Sequence, residues 1–136
     1  MNNEEREMFD FAAALVKAAG SQLLENRRRG VRVREKTSPM DLVSDDDLIM
    51  ERFLAEAIRN KYPGHDILAE ESEEWSAAPG ESCGYRWVID PIDGTVNYYR
   101  FRKDYAISLA LYREAQPVWG LVYDIAAGVM YSAGRG

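Results

Sequence analysis

The stretch Arg86-Trp87-Val88-Ile89-Asp90-Pro91-Ile92-Asp93-Gly94-Thr95 runs a short apolar segment straight into two aspartates three residues apart. An apolar run of this length, rich in β-branched and aromatic residues, reads as a buried strand. Pro91 stiffens the backbone between the carboxylates, and Gly94 allows a close backbone approach to a ligand. If Thr95 opens a helix, its amide and that of Gly94 point outward at an anion. Read from residue types alone, the segment is either a cation and phosphate site at the mouth of a strand or an acidic turn in which Thr95 caps a helix.

Outward from this stretch, the pattern changes twice. On the N-terminal side, Phe9, Ala13, Val16, Gly20 and Leu23 recur at helical steps and predict an amphipathic helix from about residue 4 to 28, stopped by Gly30. The alternating Val31-Arg32-Val33-Arg34 suits a strand, and Thr37-Ser38-Pro39 a turn. A second helix is expected from near Ser44, where Ser44 and Asp47 have capping-box spacing and Asp45, Asp46 and Asp47 suit a helix N-terminus. Leu48, Phe53, Leu54 and Ile58 form its apolar stripe, and Tyr62-Pro63-Gly64 ends it. Asp66–Ala69 reads as a strand running into Glu70-Glu71-Ser72, followed by a polar loop over 73–84 that holds Trp75 and Cys83. Beyond the opening stretch, three strands (Tyr105–Tyr112, Val118–Tyr123, Val129–Ala133) are joined by short turns as an antiparallel meander. The expected architecture is α+β: two N-terminal helices packed on a mostly antiparallel sheet, in one domain over residues 1–136.

Composition narrows the chemistry. Seventeen basic residues against 23 acidic ones, net −6, argue against a nucleic-acid partner. Arg27-Arg28-Arg29, the one basic run, falls where cations complement the end of the first helix. One cysteine and one histidine (His65, in an expected turn) leave little for a zinc site or a Ser-His-Asp triad. Carboxylates, the ligands of hard cations, are plentiful. Trp87 and Trp119 are expected in the core. No stretch is long enough to span a membrane, and the opening Met1-Asn2-Asn3-Glu4-Glu5 lacks the pattern of an export signal, so the cytoplasm is the expected address.

The stretch Trp87–Thr95, with Asn97 and Tyr98, resembles the signature of the inositol monophosphatase family, the Mg²⁺-dependent, lithium-sensitive phosphomonoesterases. Lys36–Ser44 through Asp47 resembles the family's first motif, and Tyr62-Pro63 with Leu68–Ser72 its second. The resemblance covers nearly all 136 residues but corresponds to the N-terminal half of the family's layered α/β sugar-phosphatase fold. It implies Mg²⁺-dependent hydrolysis of a small phosphate monoester, inositol monophosphate or a related polyol or sugar phosphate, by metal-activated water. The implied magnesium ligands are Glu70, Asp90, the Ile92 carbonyl and Asp93. Catalysis would fall to Asp47, Thr95 and Glu70, with Thr95 and Asp47 orienting the attacking water. Gly94, Thr95 and Asp93 would bind substrate, and Lys36 would lend a supporting charge. The longer form is expected to be a homodimer. The family's second half supplies an aspartate completing a second metal site, so a non-catalytic metal-binding or association module is the alternative. Histidinol phosphate, fructose bisphosphate and adenosine bisphosphate stand as alternative substrates. Asp45 and Asp46 are expected to be plain helix-terminus charges, and Glu71 either supports the ligands or is solvated.

Overall fold

In the computed structural model, which describes residues 1–28, 33–35, 42–69, 83–94, 98 and 105–135, the chain begins with a long helix, α1 (Asn3–Arg28). Its start is fixed by a reciprocal cap: the Glu5 amide donates to Asn2 Oδ1 (2.8 Å) and the Asn2 amide to Glu5 Oε2 (2.9 Å). The same Glu5 ties the helix to the sheet. Its Oε1 meets Arg113 Nη1 at 2.7 Å and accepts from the Tyr85 hydroxyl at 3.2 Å, while its backbone carbonyl accepts from Trp119 Nε1 (3.2 Å). Burial works against the Glu5 charge, but the bonds from Asn2 and Tyr85 and the charges of Arg113 and the N-terminal amine outweigh it. They hold the carboxyl below its ordinary 4.5.

A two-stranded antiparallel pair follows, β1 (Val33–Glu35) with β2 (Leu42–Ser44), and α2 (Asp45–Lys61) leaves directly from β2. Strand β2 is an addition to the sequence reading. Three residues are too few to display a period, and Ser44 doubles as the residue before the helix. The buried stripe of α2 is Met50, Leu54, Ala55 and Ile58; Leu48, expected within it, is 38% exposed. One position of slip along a helix turns a side chain by about 100°, which carries Leu48 off the core-facing arc.

The main sheet has the order β3-β4-β5-β6-β7, made of β3 (Asp66–Ala69), β4 (Tyr85–Asp93), β5 (Ala106–Arg113), β6 (Gln116–Asp124) and β7 (Val129–Gly134). Strand β3 pairs parallel with β4, and the rest is the expected antiparallel meander. The β5–β6 hairpin turns on Glu114 and Ala115, both at positive φ (49° and 65°), the arrangement that matches the twist of the flanking strands. Alternation sorts the strands into two faces. The inner rows, Ile67-Trp87-Leu111-Trp119 and Ala69-Ile89-Leu109-Leu121, lie under α1 and α2 and form the core. The outer rows are Leu68-Val88-Ala110-Gly120-Ala133 and Asp90-Ser108-Val122-Tyr131.

Aromatic rings knit the inner face to the helices. Trp87 meets Trp119 edge-on at 5.4 Å and Phe11 at 6.2 Å. His65 closes the expected turn, its amide donating to the Tyr62 carbonyl at 3.0 Å, and its ring is buried: it stacks on Tyr62 at 4.8 Å and its Nδ1 accepts the Trp87 indole N–H at 2.9 Å. Accepting at Nδ1 requires the neutral ring, and burial lowers the His65 pKa below 6.5 accordingly. No described helix is long and apolar enough to cross a membrane.

Candidate active site

Strand β4 does not end before the aspartates. It continues through Asp90-Pro91-Ile92-Asp93, and its register against β5 slips by one residue: Asp90 faces Ser108, whereas Asp93 faces Ala106. The strand thus runs past the apolar segment, where one of the two sequence readings placed an acidic turn. The extra residue is a β-bulge, which bends the strand and re-aims its side chains. Proline inside a ladder is tolerated at such a bulge. Asp90 keeps the outward phase of Val88, half-buried with its Oδ1 sealed from solvent. Ile92 is buried, and its carbonyl lies between the two aspartates along the chain. The turn comes at Gly94, whose φ of 87° is one that L side chains rarely adopt. From there the Tyr98 amide donates back to the Gly94 carbonyl at 2.9 Å, a bond across four positions that ties Tyr98 to the end of β4.

The second contributor is the N-terminus of α2, which packs against β3 and β4. Asp47 is 1% exposed there. Asp46, expected to be a solvated helix-end charge, is 5% exposed and accepts from the Tyr98 hydroxyl at 2.5 Å. The sequence reading passed over this pair because the helix dipole already accounted for an acid at that position. A phenol partner 52 residues away leaves no local pattern.

Of the sequence-predicted residues, the structure describes Asp47, Asp90, Ile92 and Gly94, and the backbone of Asp93. Glu70 and Thr95 lie outside the described residues, as do Lys36, Glu71, Trp75, Asn97, the Gly30 stop and the turn at Thr37–Pro39. Among the described residues no three potential ligands of the His, Cys, Asp and Glu types cluster. By residue type the candidate donors along this strand, Asp90, Asp93 and a backbone carbonyl, are all oxygen. Such donors suit a hard cation such as Mg²⁺ and do not suit zinc or copper.

Comparison with known proteins bears on the sequence and the fold as a whole. The model of the Inositol monophosphatase family matches residues 4–136. The chain is 33% identical over 132 residues to an inositol-1-monophosphatase of Bacillus subtilis, covering 96% of this chain and 49% of that protein. The crystal structure of the extragenic suppressor protein suhB from Bartonella henselae superposes with a TM-score of 0.85 at 27% identity, over 96% of this chain and 50% of that one. An IMPase/NADP phosphatase complexed with Mg²⁺ and phosphate superposes at 0.83, also 27% identical, over 96% of this chain and 49% of that one. The chain therefore spans about half the length of the relatives it matches. Sequence pattern and fold agree along almost all of its own length, and it belongs to the inositol monophosphatase family.

Proposed function

We propose that this chain carries the phosphate- and magnesium-binding part of a phosphomonoesterase acting on inositol monophosphate or a related polyol or sugar phosphate. The observation that carries the reading is the bulge at Asp90–Asp93, which hands a strand of the sheet over to a turn at Gly94. Glu70, Asp90, the Ile92 carbonyl and Asp93 would hold Mg²⁺. When bound, the ion supplies positive charge that acidifies water and offsets charge developing on the phosphate. The chain's own groups do the rest. The Gly94 and Thr95 amides grip the phosphate, with Asp93 beside it. Thr95 and Asp47 orient the attacking water and take its proton. A relative that holds Mg²⁺ together with phosphate supports this assignment. The longer form would act as a cytoplasmic homodimer.

The experiment is phosphate release from a panel of sugar and inositol phosphates with and without Mg²⁺, for the native protein and Asp90→Asn. Loss of that carboxylate charge is expected to cost about 10²-fold or more in kcat, the scale on which transition-state charge stabilisation operates. An Asp90→Asn protein with native turnover would refute the assignment. A second reading, an association module without catalysis, draws on the uncovered outer row around Leu68, which is 52% exposed. Phosphate release by the native chain at ordinary enzymatic rates rejects it.

A further inference from the structure

We propose that Asp46 and Tyr98 form a positioning pair that fixes the start of α2, and with it Asp47, relative to the Asp90–Gly94 segment. This rests on the functional reading above. Three anchors converge on Tyr98, which is wholly buried. Its amide donates to the Gly94 carbonyl at 2.9 Å, closing the turn that follows Asp93. Its ring meets that of Tyr105 edge-on at 5.0 Å, at the foot of β5, the strand that pairs with Asp90 and Asp93. Its hydroxyl donates to Asp46 Oδ2 at 2.5 Å, on the first turn of α2. Asp46 and Asp47 share a peptide bond in a helix, so the bond that fixes one fixes the backbone of the other.

A phenylalanine ring would fill the same volume and meet Tyr105 as well. Adding a hydroxyl and a carboxylate to the interior costs desolvation, which the bond between them offsets. That bond is an O–H···O contact, and such contacts are directional. Direction is what a ring contact lacks. The pair therefore couples two segments with a directional bond: the helix end that carries Asp47 and the segment that follows Gly94. Without it the turn samples other arrangements, and both metal affinity and turnover fall with the population of the competent one.

The test compares the native protein with Tyr98→Phe, Asp46→Asn and the Asp46→Ala/Tyr98→Phe double variant. It reads kcat and KM for inositol phosphate with Mg²⁺, the Mn²⁺ dissociation constant, and amide hydrogen exchange. Tyr98→Phe is expected to lower kcat about tenfold with KM within about twofold, since misplacement acts on the reacting geometry. Mn²⁺ binding should weaken about threefold as the competent population drops. Exchange at the Tyr98 amide should quicken while β5 and β6 amides keep their protection. Asp46→Asn retains an oxygen acceptor and should recover most of the loss. The double variant should be no worse than Tyr98→Phe, as for two halves of one bond. Native kcat and native Tyr98 exchange in Tyr98→Phe would overturn the proposal. So would a loss of kcat accompanied by lost protection throughout β5 and β6, which marks a general stability role. If the unsubstituted protein releases no phosphate, the functional reading fails, and the Mn²⁺ and exchange readings decide the pair on their own.

Discussion

His65 is the only histidine in the chain, and its surroundings set how the fold answers to acid. It accepts the Trp87 N–H and is buried between the Tyr62 and Tyr85 rings, so the folded protein resists protonating it. Its folded pKa lies below the ordinary 6.5. As pH falls through 6.5, the unfolded chain takes up a proton that the native state refuses, and stability declines until the folded pKa is reached. Glu5 acts in a separate window. Its folded pKa lies below 4.5, so its contribution is complete above that value and is lost as pH falls through the folded pKa. Urea midpoints are therefore expected to fall between pH 7.5 and 5.5 for the native protein and to stay level over that interval for His65→Gln, whose amide oxygen still accepts from Trp87. A level profile in the native protein would contradict the buried neutral imidazole.

At the scale of elements, the contact of α1 with β6 is set by a missing side chain. A Cβ on Gly20 would lie 2.8 Å from Tyr123 Cε2 and 3.5 Å from Ile125 Cγ1. Gly20→Ala gains about 1 kcal/mol of helix propensity against a clash with a ring edge, and should be near neutral. Gly20→Leu forces the helix off the sheet and should destabilise by about 2 kcal/mol, as overpacking does, visible as a lower thermal midpoint. The elements also divide according to what a sequence displays. The helices and the meander were legible because each runs long enough to declare a period, and the apolar run before Asp90 declared β4. Two features were hidden. The continuation of β4 through Pro91 depends on a one-residue slip against β5, which no local pattern marks. The role of Asp46 depends on Tyr98, far along the chain, whereas the helix dipole offered a sufficient local explanation. Asp90 and Asp93 stood out as carboxylates beside a proline and a glycine after an apolar run, although those residue types alone also allowed an acidic turn; the Ile92 carbonyl came only from the family resemblance.

For the molecule as a whole, the two faces of the sheet differ. One is sealed by α1 and α2, while the other exposes Leu68, Val122, Val129 and Tyr131, the last at 62%. Contiguous apolar surface on an open sheet recruits other chains. This chain by itself is expected to self-associate at tens of micromolar, as seen by light scattering. Leu68→Glu with Val122→Lys should shift it toward monomer without a large change in thermal midpoint, because neither side chain enters the core. A native monomer at those concentrations would contradict this.

The Met1 amine donates to the Arg135 carbonyl at 3.3 Å, and the Arg135 amide in turn donates to the Val118 carbonyl at 2.9 Å. The first residue and the last described strand are thus held together at one corner of the sheet. Joining these ends through a few flexible residues would make a ring whose native form is unstrained, since the gap is already spanned by a hydrogen bond. The unfolded ring, by contrast, loses the freedom of two independent ends. For a loop of this size that loss is worth about 5 kcal/mol, all of it on the denatured side. A ligated, circular protein should accordingly unfold at higher urea than its linear parent while folding to the same sheet.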